Sequence, residues 1–298
     1  MAEPDEIPFI RTAPQAGVLE QVSPLVRRLV APNPGPMTFT GTCTYVVGRG
    51  DVAVIDPGPD LPGHVEALLD ALRGETLRWI VGTHTHIDHT PAAERLAAAT
   101  GAIRVGCGPY QPPAEGPASS AHDRSWTPDM PLLEGEALEG PGFRLEAVAT
   151  PGHAANHIAF ALAEENTLFS GDHVMGWSTS VVVPPDGNMG QYMASLEKLR
   201  GREDTLYWPG HGAAVTDPQR YVRALAHHRR QREAAILARL REGDRTIPQL
   251  VARMYQGLDP RLVGGAARSV LAHLEDLMER GLVVREGVVP LEADYRVR

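Results

Sequence analysis

The 298-residue chain contains few cysteines and few aromatic residues, and it lacks any long hydrophobic run. Its two cysteines, Cys43 and Cys107, cannot form a disulfide framework and make no Cys-x-x-Cys pair, so cysteine is not the expected metal ligand. Aromatic residues make up 5% of the chain, which gives little support for binding single strands by base stacking. No segment approaches the roughly 20 apolar residues of a membrane span, so we expect no membrane partner.

Lysine is also almost absent, since Lys198 is the only one and the other basic residues are arginines. This bias favours a G+C-rich coding sequence, as in many bacteria. The formal net charge of -9 argues against a uniformly basic surface for nucleic acid. The charge is uneven, however, with 13 basic against 26 acidic residues in 1–216 and 15 against 11 in 217–298. The first residues, "MAEPDEIPFIRTAP", are acidic and proline-rich, unlike a signal peptide, so we expect a cytoplasmic protein.

Histidine, by contrast, is frequent, with 12 copies, and three of them lie within six positions of one another. In "VGTHTHIDHTPAA", the cluster His84, His86, Asp88 and His89 follows a predicted strand over residues 77–81. An amphipathic helix follows the cluster, with Thr90 as its expected N-cap. Four ionisable groups cannot share a dry core without compensation for their lost hydration. They therefore face water or collect around a positive charge.

Three further ionisable residues follow predicted strands in the same way. They are His153 in "TPGH", Asp172 in "SGDH" and His211 in "WPGHG", at intervals of 64, 19 and 39 residues along the chain. Zn²⁺ and similar dications readily bind imidazole nitrogen and carboxylate oxygen. A polar surface loop explains one such histidine but not the joint pattern of five histidines and two aspartates. The spacing therefore predicts a metal site in which Asp88 and His89 face a second ion.

The remaining polar candidates have weaker signals. Asp56, which ends a predicted strand, is the expected carboxylate partner of a ligating imidazole, with a turn residue as the alternative. Asn156 and His157 either touch substrate or begin a strand. Five other histidines occur singly or on predicted helix faces and are interpreted as structural: His64, His122, His227, His228 and His273.

The pattern of elements divides the chain into two predicted domains. Residues 1–216 alternate β-rich runs with helices, including a hairpin of residues 44–47 and 52–55 and a Pro- and Gly-rich surface excursion over 108–142. Residues 217–298 are predicted to form helices followed by a hairpin that closes at Glu286-Gly287. This order is typical of a small winged helix, and the boundary is placed near residue 217.

The four motifs "THTHIDH", "TPGH", "SGDH" and "WPGHG" resemble those of the metallo-β-lactamase superfamily. The resemblance implies an α/β (α+β) fold, a four-layer αββα sandwich that binds two metal ions. By position, it assigns His84, His86 and His153 to the first metal. It assigns Asp88, His89 and His211 to the second metal, with Asp172 as the bridge. The implied cofactor is two Zn²⁺ per chain, and the ligand chemistry also admits iron or manganese.

Longer segments are similar to the β-lactamase-like protein 2 family, whose animal members are endoribonucleases on single-stranded RNA with a winged-helix-like tail. The similarity lies in "PNPGPMTFTGTCTYVVG", in "PPDGNMGQYMASLEKL" and in the C-terminal region. The sequence departs from that family at Cys43, where Asn is usual, and at Pro91-Ala92, where Gly-Gly is usual. The first departure concerns the wall of the pocket and the second the start of a helix.

These features predict a dinuclear metal-dependent hydrolase, because two neighbouring dications lower the pKa of a shared water. Asp88 is the predicted catalytic residue, binding metal and moving the proton, with a purely ligating role as the alternative. The main substrate prediction is the phosphodiester of single-stranded RNA, and the alternative is a small thioester, lactone or ester. Five arginines on one helix could contact phosphates or form a solvated face: Arg220, Arg223, Arg229, Arg230 and Arg232.

A third hypothesis, from another class, is a DNA-binding winged-helix regulator. Its recognition helix, within residues 265–281, carries Arg268 and Arg280 against Glu275, Asp276 and Glu279. This mixture makes a poor phosphate-facing surface, so we expect no duplex DNA partner. The sequence leaves the oligomeric state open.

Overall fold

The structure is a computed structural model that describes residues 7–113 and 119–298. Two β-sheets form its centre. The first has seven strands in chain order: β1 (Leu19–Gln21), β2 (Val26–Val30), β3 (Cys43–Arg49), β4 (Asp51–Ile55), β5 (Thr76–Gly82), β6 (Ile103–Gly106) and β7 (Met130–Pro131). The second has five strands, also in chain order: β8 (Ala137–Gly140), β9 (Phe143–Ala149), β10 (Ile158–Leu162), β11 (Thr167–Gly171) and β12 (Leu206–Pro209).

Six α-helices accompany the sheets in the described residues, and a two-stranded hairpin follows the last of them. The helices are α1 (Pro62–Ala71), α2 (Ala93–Thr100), α3 (Met189–Arg200), α4 (Pro218–Arg241), α5 (Ile247–Met254) and α6 (Val263–Glu279). The hairpin strands are β13 (Val283–Glu286) and β14 (Asp294–Val297), which pair antiparallel. None of these helices combines the length and the apolar character needed to cross a membrane.

Alternating residues of the strands build the layers. In β3, Tyr45 and Val47 face the second sheet, whereas Val46 between them packs with Leu68 of α1 and Leu96 of α2. The outer face of the second sheet is covered by α3 and α4 in a separate apolar cluster. The order of layers is therefore helix, sheet, sheet, helix, which confirms the expected αββα sandwich.

Parallel pairing places the functional loops along one edge. Strands β4 and β5 are parallel and joined through α1, and β5 and β6 are parallel and joined through α2. In the other sheet, β11 and β12 are also parallel. Because parallel strands end at the same edge of a sheet, the residues that follow β4, β5, β11 and β12 converge there.

Helix α4 packs into two apolar clusters. Its first half contributes Tyr221 and Leu225 to the layer beneath the second sheet. Its second half contributes Ile236 and Leu240 to a cluster with α5, α6 and the final hairpin. The predicted boundary near residue 217 therefore precedes a helix shared by both regions, and it remains a prediction.

Two local expectations are wrong. Thr90 does not cap α2, because its hydroxyl donates to the carboxylate of Asp123 and the helix begins after Ala92 without a side-chain cap. The last hairpin does not close at Glu286-Gly287. Its return strand begins at Asp294, and the connection includes a 3₁₀ turn at Pro290–Glu292. Within the predicted excursion over residues 108–142, residues 114–118 lie outside the described part, and the rest contains the short strands β7 and β8.

Candidate metal centre

The seven predicted ligands meet at the shared edge of the two sheets. His84, His86, Asp88 and His89 lie in the loop after β5, and Asp172 follows β11 directly. His211 follows β12, and His153 lies in the turn between β9 and β10. The structure thus brings together residues that are up to 127 positions apart in the sequence.

Three imidazoles form the first half of the centre. Nδ1 of His86 lies 2.9 Å from Nε2 of His84 and 3.0 Å from Nε2 of His153. His84 is fully buried, and His153 is 7% exposed. We call these three residues the imidazole half.

The second half of the centre mixes histidines with carboxylates. Oδ2 of Asp88 lies 3.2 Å from Nε2 of His211 and 3.4 Å from Nε2 of His89. The three atoms can converge on one cation, as the metal assignment implied by the resemblance requires. We call Asp88, His89 and His211 the carboxylate half.

Asp172 lies between the two halves. Its Oδ2 is 3.4 Å from Nε2 of His211 and 3.7 Å from Nε2 of His153. Its Oδ1 is 3.6 Å from Nε2 of His89. A single carboxylate thus reaches both halves, which is the position expected of a bridging ligand.

The donor atoms fit a pair of cations. Nε2 of His89 and Oδ1 of Asp172 are buried without a hydrogen-bond partner. A buried polar atom without a partner is costly, and a metal ion would satisfy both atoms. The backbone also leaves room for them, since a Cβ at Gly210 would lie 2.4 Å from Oδ1 of Asp172 and 2.8 Å from Cε1 of His89.

The pKa values of the ligands divide along the same line. In the imidazole half, burial lowers the pKa of all three histidines, and their neighbouring imidazoles lower those of His84 and His86 further. In the carboxylate half, burial alone would lower the pKa of His211, but Asp172 and Asp88 raise it to about 10. Asp88, Asp172 and Asp56 likewise raise the pKa of His89 well above its usual value, against the effect of burial. The imidazole half is therefore neutral, whereas the carboxylate half holds ion pairs.

The carboxylates of the centre remain ionised despite their surroundings. Burial by itself would raise the pKa of Asp88 and Asp172, but the neighbouring His89 and His211 lower both values well below the usual range. An ionised carboxylate is the form that binds a dication.

Each of the four predicted ligands whose Nε2 faces the centre has a partner for its Nδ1. His89 pairs with the carboxylate of Asp56 at 2.9 Å, which is the partner role expected of Asp56. Nδ1 of His153 donates to the carbonyl of Val181 at 2.6 Å, and Nδ1 of His211 donates to the carbonyl of Gly41 at 3.2 Å. Nδ1 of His84 lies 3.0 Å from the hydroxyl of Thr83. These contacts fix the orientation of the rings.

The structure also clarifies Asn156 and His157. The amide of Asn156 donates to the hydroxyl of Thr85 and to the carbonyl of Gly108, so it holds loops together. Nε2 of His157 accepts from the backbone N–H of Asp172, and its Nδ1 pairs with the hydroxyl of Thr150. His157 therefore supports Asp172 through its backbone.

One histidine interpreted as structural lies beside the centre. His122 packs against the ring of His86 with 4.6 Å between centroids, and its Nε2 is 3.3 Å from the carboxylate of Asp186. Sequence reasoning missed this pair, because His122 stands in an irregular segment 36 residues after His86 with no motif around it. Backbone hydrogen bonds between the two segments, which include the bridge between His86 and His122, bring them together.

Cys43, predicted to lie in the wall of the pocket, does not line an open pocket. Its side chain is fully buried between the two sheets, and its thiol contacts the carbonyl of Gly212 at 3.6 Å. Burial raises the pKa of this thiol to about 11, so it remains protonated at neutral pH.

Comparison with known proteins agrees with this geometry. The family model described as "Metallo-beta-lactamase superfamily" matches residues 37–211, which include all seven predicted ligands. The chain belongs to the metallo-beta-lactamase superfamily. A second model, the beta-lactamase associated winged helix domain, matches residues 246–288. Membership establishes a hydrolase of this superfamily with a candidate His/Asp metal centre.

Two curated relatives within the superfamily come from fungi. Lactamase-like protein adaB of Aspergillus niger is 32% identical over 265 residues, covering 82% of this chain and 77% of its own length. Atrochrysone carboxyl ACP thioesterase of Aspergillus terreus is 31% identical over 268 residues, covering 84% of this chain and 78% of its own. Membership in the β-lactamase-like protein 2 family stays a prediction.

Solved structures share the fold over nearly the whole chain. A beta-lactamase domain protein from Burkholderia ambifaria matches with a TM-score of 0.81, covering 98% of this chain and 97% of its own, at 23% identity. A metallo-beta-lactamase family protein from Thermus thermophilus matches with a TM-score of 0.74, covering 93% of this chain and 100% of its own, at 25% identity. The C-terminal helices and hairpin are thus part of a recurring arrangement.

Proposed function

We propose that this chain hydrolyses acyl thioesters and that its cofactor is zinc, two ions per chain, with iron and manganese as the alternatives. The observation that carries the proposal is the similarity to an acyl carrier protein thioesterase over 84% of the chain, which spans the whole predicted ligand set. The earlier alternative of a small thioester thus takes precedence over the main prediction of single-stranded RNA. The substrate class we propose is an acyl group on a pantetheine-type thiol.

Charge supports this choice. The first 216 residues carry twice as many acidic as basic residues, which disfavours a polyanion at the centre. Two of the five arginines for which a phosphate contact was one alternative have other contacts, since Arg229 is buried and Arg232 lies over the ring of Tyr255 at 4.8 Å. Arg280 of the predicted DNA-reading helix pairs with Glu233 and Asp276. Arg229, Arg232 and Arg280 therefore offer little free positive charge for binding RNA or DNA.

The surface of the ligand loop also suits an acyl group. Ile87, between two of the predicted ligands, exposes 53% of its surface. An exposed aliphatic side chain beside a reactive centre offers apolar contact area, which an acyl chain uses and a phosphodiester backbone does not. We infer that Ile87 contacts the acyl part of the substrate.

When bound, two dications would supply Lewis acidity for the thioester carbonyl and an activated water at neutral pH. The protein's own contribution is to hold and move protons. The side chain of Asp88 is 22% exposed, against 9% for Asp172 and 3% for Asp56. Because Asp88 is ionised and reaches the solvent side, it is the carboxylate that accepts a proton from the attacking water.

The hydroxyl of Thr42 fixes the Asp88 carboxylate. It donates to Oδ2 at 3.1 Å, and the same oxygen faces His211. Oδ1 is then the oxygen that carries the proton. As water adds to the acyl carbon and the C–S bond breaks, Asp88 returns this proton to the leaving sulfur, which gives a carboxylic acid and a thiol.

A parallel assay tests the proposal. Metal-loaded protein is incubated separately with an acyl-pantetheine thioester, a lactone and a single-stranded RNA, and compared with His86→Ala and with the surface variant Arg73→Ala. We expect thioester turnover that disappears in His86→Ala and persists in Arg73→Ala. RNA cleavage that depends on His86, without thioester turnover, would overturn the proposal and restore the phosphodiesterase reading.

A further inference from the structure

Arg229 of α4 is a buried cation without an acidic partner. The residue is 5% exposed, and no ion pair joins it to a carboxylate in residues 7–113 and 119–298. Its Nε has no hydrogen-bond partner. Burying a charge is expensive unless something compensates it, so the groups that do contact Arg229 define its role.

Two contacts hold the guanidinium. It donates from Nη2 to the carbonyl of Ser180, and it lies 5.3 Å from the centre of the Tyr192 ring. Both partners belong to the region around the metal centre, because Ser180 follows Asp172 in the connection from β11 to α3 and Tyr192 lies on α3. A planar guanidinium can bind a carbonyl at its edge and an aromatic ring on its face at the same time.

The peptide that Arg229 holds touches two predicted ligands. The hydroxyl of Ser180 donates to the backbone carbonyl of Asp172. The next carbonyl along the chain, that of Val181, accepts the Nδ1 proton of His153 at 2.6 Å. A shift of the Ser180-Val181 peptide would therefore move the acceptor that orients His153 and the backbone that carries Asp172.

Tyr192 secures the other end of the same segment. Its hydroxyl donates to the carbonyl of His173 at 3.2 Å, directly after Asp172 in the chain. The ring is fully buried beneath Arg229. Arg229 and Tyr192 together thus hold residues 180 and 173, both in the connection from β11 to α3.

The histidines next to Arg229 do not take over its charge. Burial, together with the charge of Arg229, lowers the pKa of His273 to about 3 and that of His228 to about 4. Both side chains are neutral at pH 7. The positive charge that holds the Ser180 carbonyl is therefore that of Arg229.

We propose that Arg229 is a positioning residue of the metal centre, which reaches from α4 to fix the Ser180-Val181 peptide and thereby orients His153 and Asp172. The inference rests on the metal content proposed above and does not depend on the thioester substrate. It replaces both sequence-based alternatives for Arg229, a phosphate contact and a solvated helix face. It also gives α4, which extends into the C-terminal region, a direct role at the centre.

The test compares metal affinity, measured without substrate by competition with a chromogenic chelator, in the full-length chain. Arg229→Met removes the charge and the donors while keeping a long apolar side chain. We expect zinc affinity to fall about 10–100-fold, the usual effect of removing a partner behind a metal ligand. Arg241→Met, at an exposed position of the same helix, serves as the matched control and should retain wild-type affinity.

A double-mutant cycle separates positioning from general destabilisation. If Arg229 acts through the ligands, Arg229→Met should cause much less additional loss of affinity in a His153→Ala background than in the wild type. The spectrum of the Co²⁺-substituted protein should change in Arg229→Met and not in Arg241→Met. An equal loss in both backgrounds would overturn the proposal.

Arg229→Lys keeps the inference testable if Arg229→Met does not fold. Lysine retains the charge and a single donor nitrogen but lacks the planar guanidinium that lies over Tyr192. We expect a zinc affinity between those of the wild type and Arg229→Met, and at least a few-fold below the wild type. Wild-type affinity and an unchanged Co²⁺ spectrum in a folded Arg229→Lys protein would contradict a positioning role. An absence of thioester turnover in wild-type protein that binds zinc normally would count against the proposed substrate instead.

Discussion

The two halves of the candidate metal centre differ in how they keep ionisable groups buried. In the imidazole half, Nε2 of His84 and Nε2 of His153 lie 2.9 Å and 3.0 Å from Nδ1 of His86, and burial lowers the pKa values of all three residues. The carboxylate half surrounds His89 and His211 with acidic groups that raise their pKa values. Without a cation, the carboxylate half can compensate itself through ion pairs. The imidazole half contains no such anion of its own.

Because of this difference, the imidazole half is the stronger indication of a bound metal. Ion-pair networks between histidine and aspartate also occur in proteins without metal, so the carboxylate half alone is ambiguous. Three neutral imidazoles with converging nitrogens have few other uses, because their lone pairs compete for too few protons. Asp172 joins the halves, and so it is the residue at which both can be broken at once.

Asp172→Ala should have the largest effect. Removal of the carboxylate that reaches His89, His153 and His211 should abolish hydrolysis of every substrate while leaving the fold intact, because the residue lies at the edge of the sheets. Activity and circular dichroism are measured together, with the surface variant Asp129→Ala as control. Substantial turnover in Asp172→Ala would show that the halves work independently.

Removing one histidine from each half should give smaller and separable losses. His153→Ala takes a ligand from the imidazole half and His211→Ala takes one from the carboxylate half, so each should lower the metal content by about one ion per chain. Metal analysis of both variants checks this. If either variant lost both ions while staying folded, the division into two halves would be wrong.

Gly210→Ala should damage the carboxylate half by crowding. The added Cβ would lie 2.4 Å from Oδ1 of Asp172 and 2.8 Å from Cε1 of His89, so the ligands must shift and metal affinity should fall. The matched control is Gly265→Ala in α6, where a Cβ would meet nothing within 4 Å. Equal zinc affinity in the two variants would argue that the ligands tolerate displacement.

Cys43→Ala should have the smallest effect on the centre. The thiol lies near the carbonyl of Gly212, but its pKa of about 11 keeps it neutral, and a neutral thiol is a poor metal ligand. Metal content should stay at the wild-type value, and iodoacetamide at pH 7.5 should modify Cys43 only after unfolding. Loss of an ion from Cys43→Ala would add an eighth ligand to the centre.

The sequence predicted the seven residues that meet in the candidate centre, because their spacing and the strands before them are local signals. Each of the seven follows or adjoins a β-rich run and stands next to glycine or in one motif, and the αββα fold follows from the same motifs by resemblance. The role of Asp56 could be predicted for the same reason, since Asp56 follows β4, which pairs with β5. Such local patterns predict a site because the ends of parallel strands lie together at one edge of the sheet.

Contacts that depend on packing between distant elements could not be predicted. The hydrogen bond from Arg229 to Ser180 requires α4 to pack against α3, and no pattern in the sequence of α4 predicts this packing. The approach of His122 to His86 depends on an irregular segment that crosses the end of β5. Thr90 has the composition of an N-cap, yet the buried carboxylate of Asp123 competes successfully for its hydroxyl.

The most direct test is the metal content of the wild-type protein, purified without added metal and analysed by mass spectrometry beside His86→Ala. We predict about two zinc ions per chain in the wild type and a lower content in His86→Ala. A folded wild-type protein with an empty centre, which also fails to bind added zinc, would contradict the account.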